Sequence, residues 1–511
     1  MAHLGRCLLV LALLHLTSLR GALAQEVSDG ADAGGADASA QSDWGGDLVT
    51  THHSVTLDSG RTLDYVATAG TMALPDYEGE ARADVFFVSY TLDTDVAPSK
   101  RPILFAFNGG PGSSSVWLHM GALGPKRVVM GDAEGAQPPP PGAYVDNPWT
   151  WLDLADLVFI DPVSTGYSRP APEQSKRQFH GLNQDASSVG DFIRLYLTRM
   201  ERWASPRYLA GESYGTTRAA ALAGYLQDEF GMFINGIVLI SPVLNFQTVR
   251  FATGNDDPYW LFLPTYTATA WYHGQLPARL QQRDLADVLR EVEAWARGEY
   301  LTALAAGDDL EQGRYEETVS RLSEYTGLSP DFIRGTNLRI NILNFCKELL
   351  RSERRVVGRL DSRYMGIERQ HISDGTERDP SYSAIYGIYS SAVNDYLRRE
   401  LSYENDHPYE ILTGRVQPWD YSSFENRYVN VAETLRAAIS QNPDLRVLAC
   451  SGYYDLATPY FAMDYTISHM QLPPEHRGNI TRAFYRSGHM MYVRSEDLEK
   501  LKRDVAAWME R

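Results

Sequence analysis

The sequence predicts an α/β fold in which a mainly parallel central sheet carries a helical insertion. Short apolar runs, such as Ile103–Phe107 and Ile237–Ile240, are each followed by turns rich in Gly or Pro. Such runs are typical of strands buried on both faces of a sheet. Helical stretches at 186–199 and 217–229 lie between runs of this kind. Residues 248–435 instead have a helical pattern with no obvious buried strand, and this contrast predicts the insertion.

The first 24 residues predict a cleavable secretory signal peptide. Arg6 supplies a positive start, Cys7–Leu19 is largely apolar, and Ala22-Leu23-Ala24 supplies small residues at a cleavage site. The apolar run is short for a spanning helix of about 20 residues, so cleavage after Ala24 is favoured over the alternative, a membrane anchor. We therefore expect a secreted or periplasmic protein with no stable membrane anchor.

The rest of the chain divides by its patterning into a leader, a core and a cap. Residues 25–46 are rich in Ala, Gly, Asp and Ser and predict a disordered acidic leader. Residues 50–95 alternate apolar and polar positions and predict short antiparallel strands, such as Asp84–Leu92. We assign residues 47–247 and 436–511 to the α/β core and 248–435 to a helical cap. Its longest helical stretches are 277–306, 310–325 and 341–355.

The acidic composition argues against two classes of partner. The 511 residues carry a formal net charge of −18, and such a surface repels nucleic acid and anionic membranes. Cys346 and Cys450 remain after the signal, and we expect both to be ordinary buried residues, with a disulfide as the alternative. No cluster of Cys or His has metal-ligand spacing, so no metal site is expected.

A nucleophile motif predicts the chemistry. The segment Gly211-Glu212-Ser213-Tyr214-Gly215 fits G-x-S-x-G, follows an apolar run and precedes an Ala-rich helix. That strand–turn–helix context is the one in which an α/β-hydrolase fold presents its catalytic serine, although an ordinary turn serine is the alternative. The fold then predicts the order Ser, Asp or Glu, His along the chain.

Asp455 and His489 satisfy this order. Asp455 follows the strand-like run 446–450, and His489 follows the run 483–485, so both lie just past late strands. We expect His489 to remove the proton of Ser213 and Asp455 to orient the imidazole. The alternative is that His489 is an ordinary surface histidine.

A glycine-rich loop after the strand 103–107 predicts an oxyanion hole. Asn108 to Ser115 reads Asn-Gly-Gly-Pro-Gly-Ser-Ser-Ser, and its glycines expose main-chain N–H groups. We assign the two donors to the N–H groups of Gly110 and of Tyr214, the residue after the nucleophile. A dinucleotide or phosphate loop is the rival interpretation, but the spacing fits neither motif.

Several blocks together resemble the serine carboxypeptidase family. The blocks are Asn108 to Ser115, Gly211 to Tyr214 and Gly488-His489-Met490, with Asn147-Pro148 and Asp161 to Ser168 resembling two linking motifs. The resemblance implies an α/β-hydrolase with a helical insertion that removes C-terminal residues from peptides, often at acid pH, without metal or cofactor. The sparse cysteines and the signal indicate a bacterial-type member.

The resemblance also implies roles for individual residues. In the family, the positions matching Asn108 and Glu212 bind the terminal carboxylate of the substrate, and the position matching Met490 contacts its S1′ residue. The triad and oxyanion roles fall on the positions matching Ser213, Asp455, His489, Gly110 and Tyr214.

Two positions depart from the family pattern. Ala106 stands where the family usually has Trp, and Ala122 stands where it usually has a Glu that pairs with the residue matching Glu212. Two carboxyl groups hold a carboxylate only by sharing protons, so loss of one removes a donor. Lys126 and Arg127 are candidates for a replacement charge.

The sequence therefore predicts a serine carboxypeptidase that acts on peptides through an acyl-enzyme. The Ala106 and Ala122 departures keep open an esterase or acyltransferase of the same family. A non-enzymatic secreted binding protein on the same fold is the alternative of another class.

Overall fold

Ten strands form the main sheet of this computed structural model, which describes residues 46, 48–131, 135, 138–172 and 174–510. The predicted signal peptide, and the predicted leader apart from Gly46, lie outside the described residues. The strands are β1 Val49–Thr56, β2 Thr62–Pro75, β3 Ala81–Leu92, β4 Ile103–Phe107, β5 Lys126–Val128, β6 Tyr144–Asp146, β7 Asp156–Ile160, β8 Arg169–Pro170, β9 Arg207–Glu212, β10 Gly236–Ile240, β11 Val356–Val357, β12 Met365–Gly366, β13 Arg446–Gly452 and β14 Ile480–Tyr485.

The strand order is β1-β2-β3-β7-β4-β9-β10-β13-β14, with β8 added beside β3. Strands β7 to β14 along this path are parallel, whereas β1, β2 and β3 form an antiparallel edge. This mainly parallel sheet confirms the predicted fold class. The predicted short strands of 50–95 are instead long, 14 residues in β2 and 12 in β3, because β3 pairs with β2 along nearly its whole length.

The sheet is covered by helices on both faces. Along β4, Leu104 and Ala106 face one core, whereas Phe105 and Phe107 face the other, as the two-residue period of a strand requires. The helices are α1 Val116–Leu118, α2 Leu182–Arg199, α3 Tyr214–Phe230, α4 Asp257–Tyr272, α5 Ala278–Gln281, α6 Leu285–Trp295, α7 Leu301–Ala306, α8 Gln312–Thr326, α9 Pro330–Gly335, α10 Ile342–Glu348, α11 Pro380–Asp395, α12 Ala432–Gln441, α13 Tyr460–Ser468 and α14 Ser495–Met509. Helices α2, α3 and α12 cover the Phe105 face, and α1, α11 and α14 cover the Leu104 face.

The segment 248–435 contains most of the remaining helices, but their bounds differ from those predicted. The stretch 277–306 is broken, because the side chain of Asp284 caps a new helix at α6 by accepting a hydrogen bond from Ala286 N at 2.9 Å. Helix α10 ends at Glu348, well before the predicted 355. A short buried strand, Val356–Val357, was not predicted. The division into core and cap at 248 and 435 stays a prediction.

Two further expectations concern cysteines and membranes. Cys346 and Cys450 are both buried and free, as predicted. Among the described residues, no helix is long and apolar enough to cross a membrane.

Candidate active site

The nucleophile turn has the backbone that its motif requires. Strand β9 ends at Glu212, α3 begins at Tyr214, and Ser213 between them has φ 60° and ψ −129°. This conformation is costly for a residue with a side chain and is held here by the strand and helix on either side. A Cβ on Gly215 would lie 2.8 Å from the carbonyl oxygen of Phe107, so a larger residue has no room there.

Loops at the carboxyl ends of the parallel strands line a single cavity of about 300 Å³ around this turn. Six of the residues predicted for the site line it: Asn108, Gly110, Glu212, Ser213, His489 and Met490. They come from the last residue of β9 and from the loops after β4, β9 and β14, so residues far apart in the sequence meet at one sheet edge.

Asp455 lies behind the imidazole of His489. Its Oδ2 accepts a hydrogen bond from Nδ1 of His489 at 2.7 Å, and the carboxylate is fully buried. Burial opposes protonation of His489, but the charge and hydrogen bond of Asp455 outweigh it and raise the pKa of the imidazole above its usual value. An imidazole held this way keeps its Nε2 free to accept a proton.

Thr458 belongs to the candidate site, although the sequence patterns did not single it out. Its hydroxyl donates to Oδ2 of Asp455 at 2.7 Å, and its main-chain N–H donates to Oδ1 at 3.0 Å. The N–H of Ala457 also donates to Oδ1, at 2.8 Å. These donors fix the carboxylate that orients the histidine. The Asp-x-x-Thr spacing of 455–458 is the signal from which this turn is recognisable.

The glycine-rich loop lies directly against the nucleophile turn. A Cβ on Gly109 would lie 2.8 Å from the carbonyl oxygen of Glu212 and would overlap the main-chain nitrogen of Tyr214. Gly110, the other predicted oxyanion donor, is exposed at the cavity and has φ +103°, a conformation that favours glycine. The predicted oxyanion donors therefore lie on two touching segments.

Glu212 and Asn108 form the polar end of the cavity. Asn108 is 1% exposed, and its Nδ2 has no hydrogen-bond partner among the described residues, although its Oδ1 accepts from Leu118 N at 3.1 Å. Oε2 of Glu212 accepts a hydrogen bond from the Tyr492 hydroxyl at 2.6 Å. Burial raises the pKa of Glu212 to about 7, and the charge of Asp455 raises it too, while His489, the Tyr492 hydrogen bond and the nearby amide of Asn108 oppose the shift.

A buried ion pair supports this polar end from below. The guanidinium of Arg218 binds Oδ2 of Asp185 at 2.7 Å and donates to the main-chain oxygen of Asn108 at 2.5 Å. It also lies 5.3 Å from the ring centre of Phe107 and 5.4 Å from that of Tyr214. A single cation thus links the start of the glycine-rich loop to the helix that follows the nucleophile.

One wall of the cavity comes from the segment 359–412. It contributes Arg359, Leu360, Asp379, Tyr382, Ile385 and Leu412. Asp379 shapes this wall, because its Oδ1 accepts from the N–H groups of Arg359 at 3.1 Å and of Ser381 at 3.0 Å. The exposed guanidinium of Arg359 forms no ion pair with any residue that the structure describes.

Lys126 and Arg127 do not supply a charge to this cavity. Lys126 forms ion pairs with Asp146 at 2.8 Å and Glu400 at 3.0 Å. The guanidinium of Arg127 lies over the ring of Trp149, with 5.6 Å between its carbon and the ring centre. Neither side chain lines the cavity, so the hypothesis of a replacement charge there is wrong. Within the described part of the chain, no group of three or more His, Cys, Asp or Glu side chains is placed to hold a metal ion.

The relatives found by comparison with known proteins are named as carboxypeptidases or as carboxypeptidase-like proteins. Serine carboxypeptidase-like 36 of Arabidopsis thaliana is 27% identical over 31% of this chain, and pheromone-processing carboxypeptidase KEX1 of Metarhizium robertsii is 29% identical over 29% of it. These matches span only 32% and 22% of the relatives' own lengths.

A solved structure extends the similarity to nearly the whole fold. KEX1(delta)P, a prohormone-processing carboxypeptidase from Saccharomyces cerevisiae, superposes with a TM-score of 0.55 at 15% identity, covering 87% of this chain and 91% of its own. At 15% identity, this superposition is evidence for a shared fold only. The family model described as serine carboxypeptidase matches residues 65–502, which is most of the sequence. The chain therefore belongs to the serine carboxypeptidase family.

Proposed function

We propose that this protein is a serine carboxypeptidase that releases C-terminal amino acids from peptides. The observation that carries the proposal is the cavity in which Ser213 and His489 lie beside the buried pair Asn108 and Glu212. The first pair supplies a nucleophile and a base, and the second supplies uncharged donors for a carboxylate. A peptide bond next to a free C-terminus is the substrate that needs both.

The reaction proceeds through an acyl-enzyme. His489 Nε2 takes the proton of Ser213 as its Oγ attacks the scissile carbonyl carbon. The N–H groups of Gly110 and Tyr214 stabilise the oxyanion, and Asp455 stabilises the imidazolium. His489 then gives the proton to the leaving amino group and the C–N bond breaks. Water, activated by the same histidine, hydrolyses the ester and restores Ser213.

Recognition of the terminal carboxylate depends on the protonation of Glu212. Nδ2 of Asn108, which has no partner among the described residues, donates one hydrogen bond to the carboxylate. With a pKa of about 7, Glu212 is protonated in acid solution and donates a second, whereas above that pH it becomes an anion and repels the substrate. We expect activity on free carboxylates to fall as the pH rises through neutrality. Met490, which lines the same cavity, is the proposed S1′ contact.

The protons of Glu212 and His489 are coupled, and this coupling suits the proposed reaction. Ionised Glu212 raises the pKa of His489 by its negative charge. Protonation of Glu212 removes that charge, so the pKa of His489 falls and a larger fraction of the imidazole is the neutral base that the reaction needs. The same proton therefore prepares the enzyme to bind a carboxylate and to attack.

A pair of substrates tests the proposal. A blocked dipeptide and its C-terminal amide differ only in the terminal group, and the enzyme should hydrolyse the acid and reject the amide. Ser213→Ala should abolish release of the C-terminal amino acid, while Ser187→Ala, on α2 outside the cavity, should leave it unchanged. Equal rates on acid and amide would contradict carboxypeptidase selectivity.

Two further substrates or reagents distinguish the two alternatives. An esterase or acyltransferase would turn over an ester substrate or transfer its acyl group without needing a free carboxylate, as the alanine at 122 allows. A non-enzymatic binding protein would not react with a fluorophosphonate at Ser213. Secretion through the signal peptide 1–24, with cleavage after Ala24, belongs to the proposal, as do the secreted or periplasmic location and the bacterial type. Sequencing the N-terminus of the mature protein tests the cleavage after Ala24.

A further inference from the structure

Tyr492 is a buried phenol that the proposed reaction does not use. Its hydroxyl donates a 2.6 Å hydrogen bond to Oε2 of Glu212, and the side chain is 2% exposed. It lies in the short helical turn Met491–Val493, which begins two residues after His489. One loop therefore carries the catalytic base and also reaches the acid that faces the substrate.

Tyr492 packs against the segment that contains Ala122. A Cβ on the neighbouring Gly121 would overlap Cε2 of the Tyr492 ring and lie 2.7 Å from the hydroxyl of Tyr389. Ala122 is the position at which the resemblance leads us to expect a second carboxyl paired with Glu212. In this chain, a phenol from another loop donates to Glu212 beside that segment.

We propose that Tyr492 is a positioning residue that replaces the missing second carboxyl and directs the proton of Glu212 toward the substrate. Because its hydroxyl occupies Oε2 as a donor, the acid proton of Glu212 resides on Oε1. From Oε1 the proton is donated in a hydrogen bond to the terminal carboxylate. The inference rests on the proposed function and adds to it the group that orients the carboxylate-binding acid.

A phenol suits this task because it stays protonated. Burial raises the pKa of Tyr492 well above its usual value of 10, and the charge of Glu212 raises it further. Tyr492 is therefore a donor at every pH at which Glu212 titrates. A second carboxyl, by contrast, would itself lose its proton and repel both Glu212 and the substrate.

Four titratable groups face Glu212 from the elements around it. His489 and the hydroxyl of Tyr492 favour its ionised form, Asp455 opposes ionisation, and Tyr389 of α11 lies close enough that Glu212 raises the pKa of its hydroxyl. Tyr492→Phe deletes only one hydrogen bond from this set. Glu212 in the variant should therefore keep its proton to higher pH, while its carboxyl group is no longer held in orientation.

The experiment compares Tyr492→Phe with the matched control Tyr389→Phe, which deletes a hydroxyl from the same cluster without touching a bond to Glu212. KM and kcat are measured across pH for the blocked dipeptide acid and for a small activated ester that carries no carboxylate. For the acid, Tyr492→Phe should raise KM about tenfold in acid solution and move the neutral inflection upward by about one pH unit, with kcat unchanged. The ester and the control should show neither change.

Three outcomes would overturn the inference. The first is a folded Tyr492→Phe whose KM and inflection equal those of the wild type. If that variant fails to fold, a fluorinated tyrosine is placed at 492, because it is a stronger hydrogen-bond donor of similar size. The second outcome is a neutral inflection that does not move to lower pH in this protein. Should the protein label at Ser213 yet release no amino acid, the proposed function fails alone. Infrared titration of the Glu212 carboxyl then tests whether Tyr492 acts on it. An equal titration midpoint in the wild type and in Tyr492→Phe is the third outcome.

Discussion

Arg218→Met tests whether the buried pair beneath the cavity serves the site as well as stability. Arg218 is 1% exposed and binds both Asp185 and the main-chain oxygen of Asn108. Its removal leaves the carboxylate of Asp185 buried without its cation, a change that costs about 3–5 kcal/mol of unfolding free energy. The freed loop should also hold Asn108 less well, lowering kcat/KM on the peptide acid about tenfold.

The loss of stability should depend on pH. Burial raises the pKa of Asp185, opposed by the charge of Arg218, so removal of Arg218 raises it further. The folded variant then holds a proton that the unfolded chain releases, and unfolding becomes easier as the pH rises above the ordinary range of a carboxyl group. Adding Asp185→Asn to Arg218→Met should recover part of the stability in neutral solution without recovering kcat/KM.

The matched control is the ion pair at the opposite end of the strands. Arg202 binds Oδ2 of Asp156 at 2.7 Å, and Asp156 begins β7, far from the carboxyl ends that carry the site. Arg202→Met should lower stability, by less because Arg101 also pairs with Asp156, and leave kcat/KM unchanged. Urea unfolding and dipeptide hydrolysis measure the two effects. An Arg218→Met enzyme with wild-type kcat/KM would refute a positioning role for the pair.

Three further predictions concern the neighbours of the reacting groups. Thr458→Val removes one donor from Asp455, so kcat should fall about tenfold with little change in KM, as measured on the dipeptide acid. Gly109→Ala places a methyl group that overlaps the main-chain nitrogen of Tyr214 in the nucleophile turn and should slow fluorophosphonate labelling about a hundredfold or more, with circular dichroism verifying the fold. Arg359→Met removes a positive charge that lowers the pKa of His489, so the acid limb of the kcat profile should move to higher pH. An acid limb that moves down or stays fixed would contradict this.

Much of the fold could be predicted because parallel strands are buried on both faces. The apolar runs that begin at 103, 237, 446 and 483 each correspond to a strand of the sheet. The long edge strands were harder to predict, because their length depends on pairing between β2 and β3, which the local pattern does not contain. The helix ends near 284 and 348 depend on caps whose signals compete with the apolar period.

The site could be predicted where a local motif fixes the backbone. It could not be predicted where a side chain from a distant part of the sequence contacts the site. The nucleophile turn and the glycine-rich loop carry their geometry in their glycines. Thr458 and Tyr492 act through single hydroxyl groups, and nothing in the spacing of the sequence brings the phenol at 492 to Glu212. The assignment of Lys126 failed for the same reason, since its partners Asp146 and Glu400 are distant in the sequence.

The cavity wall formed by 359–412 and the predicted reacting groups belong to different parts of the chain, so substrate preference and chemistry depend on different residues. The predicted triad and oxyanion residues lie at the carboxyl ends of the sheet strands, whereas this wall comes from one stretch of chain between two of those strands. Its helix α11 is tied to the sheet on the far side through Ile388 and Tyr389, so only the positions that look inward are free to vary. Under the proposed function, exchanging a few such side chains would therefore change the preferred peptide and leave the groups that break the peptide bond unchanged.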